Sequence, residues 1–455
     1  MNALMDKFRG GSLGARVLRS SVLTVGGFGF SQVIRLASNL ILTRLLFPEA
    51  FGLMALVMVF LMGLGQFSDV GVTPAILQSK RGDDRAFLNT AWTIQVMRGF
   101  ALWLVACAAA VPMAWIYDEP MLGQILPVAA LTLLIAGFKP TRMDTANRHL
   151  MLGRVTVLDM VTQLSGVVVA VLLAWWTGSV WALVVSGVVG SIVEVFINSA
   201  FLPGERNRFR WEKAAARELI NFGKWVFLAT VCGFVFTQSD KILIGKYLPL
   251  DVFGVYNIGF FLAAFPMLLG GIVTRKILIP IYRETPPTES RENFLRLRKM
   301  RFAVTTLLLC MVTVFACLGV WLVDLMYDPR YAMAGAVVVL LACAQIPMLI
   351  VQTYDQAALA AGDSRRFFVL ALARAVLMVV CLLIGLEQAG LIGALIGQGV
   401  AFVLAYPVVV WLARRMGAWD GIHDVIFAVL GLCAAALAVW LNWSEIVALA
   451  GKSAG

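Results

Sequence analysis

Apolar residues run along this chain in long stretches, broken at intervals by short polar and basic connections. A helix needs about 20 mostly apolar residues to cross the hydrocarbon core of a bilayer. Windows of that kind lie near 21–43, 51–78, 90–114, 121–138, 155–177, 180–202, 219–245, 252–279, 301–326, 331–354, 367–386, 390–412 and 422–441. The pattern predicts an all-α, polytopic membrane protein with about 12–13 transmembrane helices. The longest polar stretches, 203–218 and 280–300, leave no room for a soluble domain on either side.

Composition agrees with this reading. Of 455 residues, 61% are hydrophobic and 14% charged, and mean hydropathy is +0.88. A soluble protein cannot cover that much apolar side chain with so few polar residues. The 7 cysteines stand singly in apolar runs without a CxxC, so neither a disulfide framework nor zinc is expected. The two histidines, His149 and His423, lie in separate polar stretches, so no metal centre is expected, and no cofactor. The first apolar run is too long for a signal peptide and reads as an uncleaved span.

The formal charge of +11 changes meaning once its positions are read. The N-terminus carries Lys7, Arg9, Arg16 and Arg19, and every second connection is basic. Together these segments hold 29 Lys and Arg, and the other side has only Arg44, Lys246, Arg330 and, given a thirteenth span, Lys452. Such asymmetry predicts a cytoplasmic N-terminus. The charge is spread over seven short segments, so it argues for topology and contact with membrane lipids, and against nucleic acid.

The two halves repeat. Arg44-x-Leu46-x-x-Glu49-x-Phe51-Gly52 recurs as Lys246-x-Leu248-x-x-Asp251-x-Phe253-Gly254. Tyr117-Asp118 recurs as Tyr327-Asp328, Gly153 as Gly362, and Ala182-Leu183-Val184 as Ala394-Leu395-Ile396. Six spans per half give both halves the same orientation, as in parallel-repeat transporters with a central path. The predicted organisation is an N-terminal lobe at 1–203, a cytoplasmic linker at 204–218, a C-terminal lobe at 219–415, and an extra apolar helix and tail at 416–455.

Charges inside spans are costly, so they face a partner or a cavity. The candidates for binding substrate are Arg35 with Asn39 in span one, Arg98 in span three, Lys241 in span seven and Arg374 in span eleven. Asp69, Asp159, Glu194 and Asp240 are candidates for ion coupling or for neutralising these cations. At the repeat offset, Arg35 and Lys241 fall one turn apart on equivalent helices. They are suited to cradle an anionic head group, with Arg as a bidentate phosphate donor and Lys as a point charge. The alternative for Arg35 is an ion pair with a carboxylate such as Asp69. For Lys241 it is snorkelling or pairing with Asp240. Of the prolines within spans, Pro266 and Pro347 are candidate hinges. Gly26-Gly27-Phe28-Gly29 lies inside a span and reads as close helix packing.

Arg44-Leu-Leu-Phe-Pro-Glu-Ala-Phe-Gly52 and Asp69-Val-Gly-Val-Thr-Pro-Ala-Ile-Leu-Gln78 resemble conserved segments of the O-antigen and exopolysaccharide flippases. So do Leu219-Ile-Asn-Phe-Gly-Lys-Trp225 and Gln238-Ser-Asp-Lys-Ile-Leu-Ile-Gly245. These flippases belong to the multidrug/oligosaccharidyl-lipid/polysaccharide exporter superfamily. The resemblance covers roughly residues 17–415. It implies a non-enzymatic transporter that flips undecaprenyl-pyrophosphate-linked oligosaccharide across the bacterial inner membrane by alternating access. Its partners would be the lipid-linked oligosaccharide, membrane lipids, and polysaccharide polymerase or chain-length proteins. Two rivals stand beside it: a cation-coupled drug or metabolite antiporter of the same superfamily, and a membrane-embedded glycosyltransferase or polymerase.

Overall fold

The computed structural model describes residues 13–68, 71–149, 151–274, 278, 282, 284, 286–355 and 364–453. Through the first half run α1 (Leu13–Leu45), α2 (Pro48–Phe67), α3 (Val72–Gln78), α4 (Arg85–Tyr117), α5 (Pro120–Ala129), α6 (Leu131–Gly137), α7 (Arg142–Arg148), α8 (Leu152–Thr177) and α9 (Trp181–Phe201). The second half holds α10 (Lys213–Tyr247), α11 (Leu250–Ala263), α12 (Phe265–Val273), α13 (Arg291–Met326), α14 (Ala334–Val351), α15 (Ser364–Arg415), α16 (Gly421–Leu441) and α17 (Trp443–Ser453).

Among the described residues, nine helices are long and apolar enough to cross a membrane, or ten counting the bent pair α11 and α12. The chain is an all-α, multi-pass membrane protein. Each of the thirteen predicted windows holds helix among the described residues. α1 and α10 carry the first and seventh, and α15 carries two.

At 52 residues α15 would run roughly 78 Å if straight, more than twice the bilayer core. Ala389 and Gly390 leave helical geometry, Gly390 at φ 54°. The chain then folds back on itself: Gly385 packs against the Gly393 carbonyl, and Gly397 against that of Cys381. A constant sum of residue numbers is the mark of an antiparallel hairpin, and glycine permits this close backbone approach.

Two spans differ from expectation. The second window, 51–78, is not continuous: α2 ends at Phe67, and α3 begins after Gly71 at φ 65°. Pro74 therefore sits in the first turn of a new helix, where its missing N–H costs nothing. The eighth window bends by 42° between α11 and α12, with Pro266 at the start of α12. Pro347 lies within α14 without ending it.

The chain forms two compact units, Met1–Leu46 with Val57–Thr230, and Phe47–Leu56 with Val231–Gly455. The 204–218 segment falls in the first and 416–455 in the second. In unit 1, Gly27 of α1 lies against Thr156 of α8, and Gly99 of α4 against Gly137 of α6. In unit 2, α13 and α14 interlock at Gly319–Val338 and Gly335–Val320.

Unit 2 also holds the second copy of the repeated motif and the Glu49-x-Phe51-Gly52 end of the first. A Cβ on Gly52 would strike the Leu250 carbonyl, and one on Gly254 would strike the Pro48 carbonyl. Both relations obey the 202-residue offset, so the two motifs pack as pseudo-symmetric halves of a self-complementary contact. Gly254→Ala must push these backbones apart and is expected to cost about 1–3 kcal/mol. A lowered melting temperature in detergent checks this, and an unchanged one would show that the contact is loose.

Candidate functional site

In unit 1 the α1 candidates are an exposed Arg35 and, one turn on, a half-buried Asn39. α1 is pinned to α8 just below them: Ser31 Oγ donates to Gln163 Oε1, and Gln163 Nε2 donates to the Ser31 carbonyl at 3.0 Å. Arg98 reaches from α4 to the end of α2, where Nε donates to Ser68 Oγ at 2.9 Å and Nη2 to the Gly65 carbonyl. A cation there meets the negative end of the helix dipole. Asp159 is exposed on α8. Glu194 pairs with Lys139 at 2.6 Å. Asp69 lies outside the described residues.

In unit 2, Lys241 of α10 sits 4.6 Å from the Phe260 ring centroid, with Nζ 3.4 Å from Gln238 Oε1. Its neighbour Asp240 is buried and accepts the Tyr256 hydroxyl. The adjacent residues thus have different partners. Arg374 is bound at both ends of its fork by Asp355, at 2.7 and 2.9 Å. Both residues are buried. Asp355, Tyr256 and Phe260 were not among the sequence candidates. A lone arginine in span eleven calls for a carboxylate nearby, but linear sequence does not say which.

A second polar network docks α16. Arg298 forks onto Asp420, which caps the first turn through the His423 N–H at 3.3 Å. Arg301 is fully buried between the Tyr282 hydroxyl, the Ala418 carbonyl and the face of Tyr354. His423 bridges Asp424 and Thr305, both at 3.0 Å. Burial pushes the Asp420 carboxyl up, but Arg298 and the His423 N–H outweigh it and hold it below the ordinary 3.8. A depressed carboxylate stabilises the fold above its unfolded value and ceases to as pH falls through its folded one. Asp420→Asn is therefore expected to lower the melting temperature at pH 7. The difference from wild type should shrink below about pH 4, and a constant gap across that range would refute the assignment. The apolar cavity of about 360 Å³ between α14 and α15, lined by Leu340, Cys343, Pro347, Leu395 and Val403, offers nothing to hold an anion.

Residues 41–336 match the family model described as "Polysaccharide biosynthesis protein". The chain belongs to this polysaccharide biosynthesis protein family. Its curated relatives are distant. The amylovoran biosynthesis protein AmsL of Erwinia amylovora is 22% identical over 56% of this chain and 66% of its own. The succinoglycan biosynthesis transport protein ExoT of Rhizobium meliloti is 23% identical over 78% and 72%. The chain thus spans slightly under two thirds of AmsL. Among solved structures, this family member shares the fold of the lipid II flippase MurJ, with TM-score 0.70 at 12% identity over 95% of this chain and 98% of MurJ. It also resembles an inward-facing multidrug MATE transporter, with TM-score 0.62 at 14% identity over 85% and 95%.

Proposed function

We propose that this protein is a flippase that carries undecaprenyl-pyrophosphate-linked oligosaccharide across the bacterial inner membrane for surface polysaccharide assembly. The observation that carries the reading is a polysaccharide-family match over 41–336 on a chain with the fold of a lipid II flippase. The N-terminus is cytoplasmic by the distribution of Lys and Arg. The pyrophosphate meets Arg35 and Lys241, with Asn39, Arg98 and Arg374 as further candidates, while Asp69, Asp159, Glu194 and Asp240 couple or balance charge. Movement is alternating access, without covalent chemistry, and polymerase and chain-length proteins receive the product.

Reconstitution tests this. Proteoliposomes loaded with lipid-linked oligosaccharide should expose it to an external lectin only when the protein is present. The likeness to a MATE transporter favours a second reading, a cation-coupled antiporter of small molecules. That reading predicts ion-driven uptake of organic cations by the same vesicles and no change in lectin access.

A further inference from the structure

Residues 203–212 form an extended strap with no helix of its own, held to the rest of unit 1 along its length. The backbone N–H groups of Arg208, Arg210 and Glu212, every second residue, donate to Asn89 Oδ1, Thr93 Oγ1 and Thr90 Oγ1 on the first turns of α4, at 3.0, 3.0 and 3.1 Å. Asn207 exchanges hydrogen bonds with Thr141, at 3.1 Å to its N–H and 2.7 Å to its hydroxyl. Arg81 pairs with Glu212 at 2.9 Å, and Arg142 donates to the Glu205 carbonyl at 2.9 Å. Asn207 and Glu212 thus turn toward the rest of the unit, while Glu205, at the start of the strap, is exposed and pairs with Arg85.

Over 206–217 the exposed charges are all cationic. Arg206, Arg208, Arg210, Lys213 and Arg217 are all exposed. Between them Phe209 and Trp211 are 67% and 53% exposed, and Phe209 is steadied against Trp92 at a centroid distance of 4.8 Å. The strap follows directly from the end of α9, a membrane-crossing helix, and lies across the start of α4, another. Clustered cations beside a bilayer attract anionic headgroups, at about 1 kcal/mol per residue. Amphipathic aromatics settle at headgroup depth.

We propose that the 206–217 strap is a binding surface for the anionic phospholipid headgroups of the adjoining leaflet, with the cations on phosphate and Phe209 and Trp211 seated between headgroups. The surface anchors unit 1 at this end of the helices, whatever the protein transports.

The test uses full-length protein in detergent, with phosphatidylglycerol and phosphatidylcholine supplied in equal amounts and retained lipid counted by native mass spectrometry. Wild type should favour phosphatidylglycerol. The variant R206Q/R208Q/R210Q/K213Q/R217Q should lose that preference by about tenfold while keeping its melting temperature, since the residues that dock the strap are intact. The control R291Q/R296Q/K299Q/R365Q/R415Q removes the same charge from other exposed positions and should keep the preference. In unmodified protein, salt above about 0.5 M should weaken it. Equal loss in both variants, no loss in the strap variant, or displacement of the lipid by inorganic pyrophosphate would overturn the proposal. Transport is not measured in this assay, so failure here leaves the flippase reading standing.

Discussion

Replacing Asp355 by alanine should destabilise the protein by about 3–5 kcal/mol, the largest stability effect expected of any single change here. Arg374 is 7% exposed and Asp355 9%, and each nitrogen of the Arg374 fork is matched by an Asp355 oxygen. Removing the carboxylate leaves a guanidinium buried beside Phe236 and stripped of the partner that offset its desolvation. The double variant Arg374→Leu with Asp355→Leu should recover most of the loss, because neither charge is then stranded. Thermal unfolding in detergent reads both. A single variant within about 1 kcal/mol of wild type would mean that solvent reaches the pair.

The largest effect on function is expected from Arg35→Ala combined with Lys241→Ala. If both cations hold the pyrophosphate, each contributes charge-assisted hydrogen bonds of about 1.5–3 kcal/mol. Their joint loss should lower polysaccharide export 10- to 100-fold, at about 1.4 kcal/mol per tenfold. The strain used should lack its own flippase, and membrane levels of the variant should match wild type. Full surface polysaccharide from the double variant would remove the cradle. Arg35→Lys should retain part of the activity, since it keeps the charge and loses the fork.

Much of the fold could be read from the chain. Apolar length alone placed helix in all thirteen windows among the described residues, because backbone groups in hydrocarbon must be satisfied within helices. The boundary between 367–386 and 390–412 was visible as Glu387-Gln388-Ala389-Gly390, which is the turn of α15. The break at Gly71 was not visible, because residues 51–78 are apolar enough to read as one run, and among the described residues the left-handed backbone of Gly71 marks where α3 begins. Candidate cations were legible because charge in an apolar run stands out. Their partners were not, because pairs such as Arg374 with Asp355 depend on how α15 is rotated against the end of α14. The repeat located the Gly52 and Gly254 motifs, yet it did not foretell that they touch. Two equivalent positions can face each other or face away at the same offset.

The α15 hairpin bears on how the chain is made. Its turn consists of two non-helical residues, so no tether exists that would let one arm enter the bilayer ahead of the other. Arg365 and Arg366 close one end, and Arg414 and Arg415 the other, while the tip carries no cation to be dragged across. Translocating that tip requires moving only Glu387 and a few small polar groups through the lipid. The two arms are therefore suited to leave the insertion machinery together as a preassembled pair, with their glycine seam already closed.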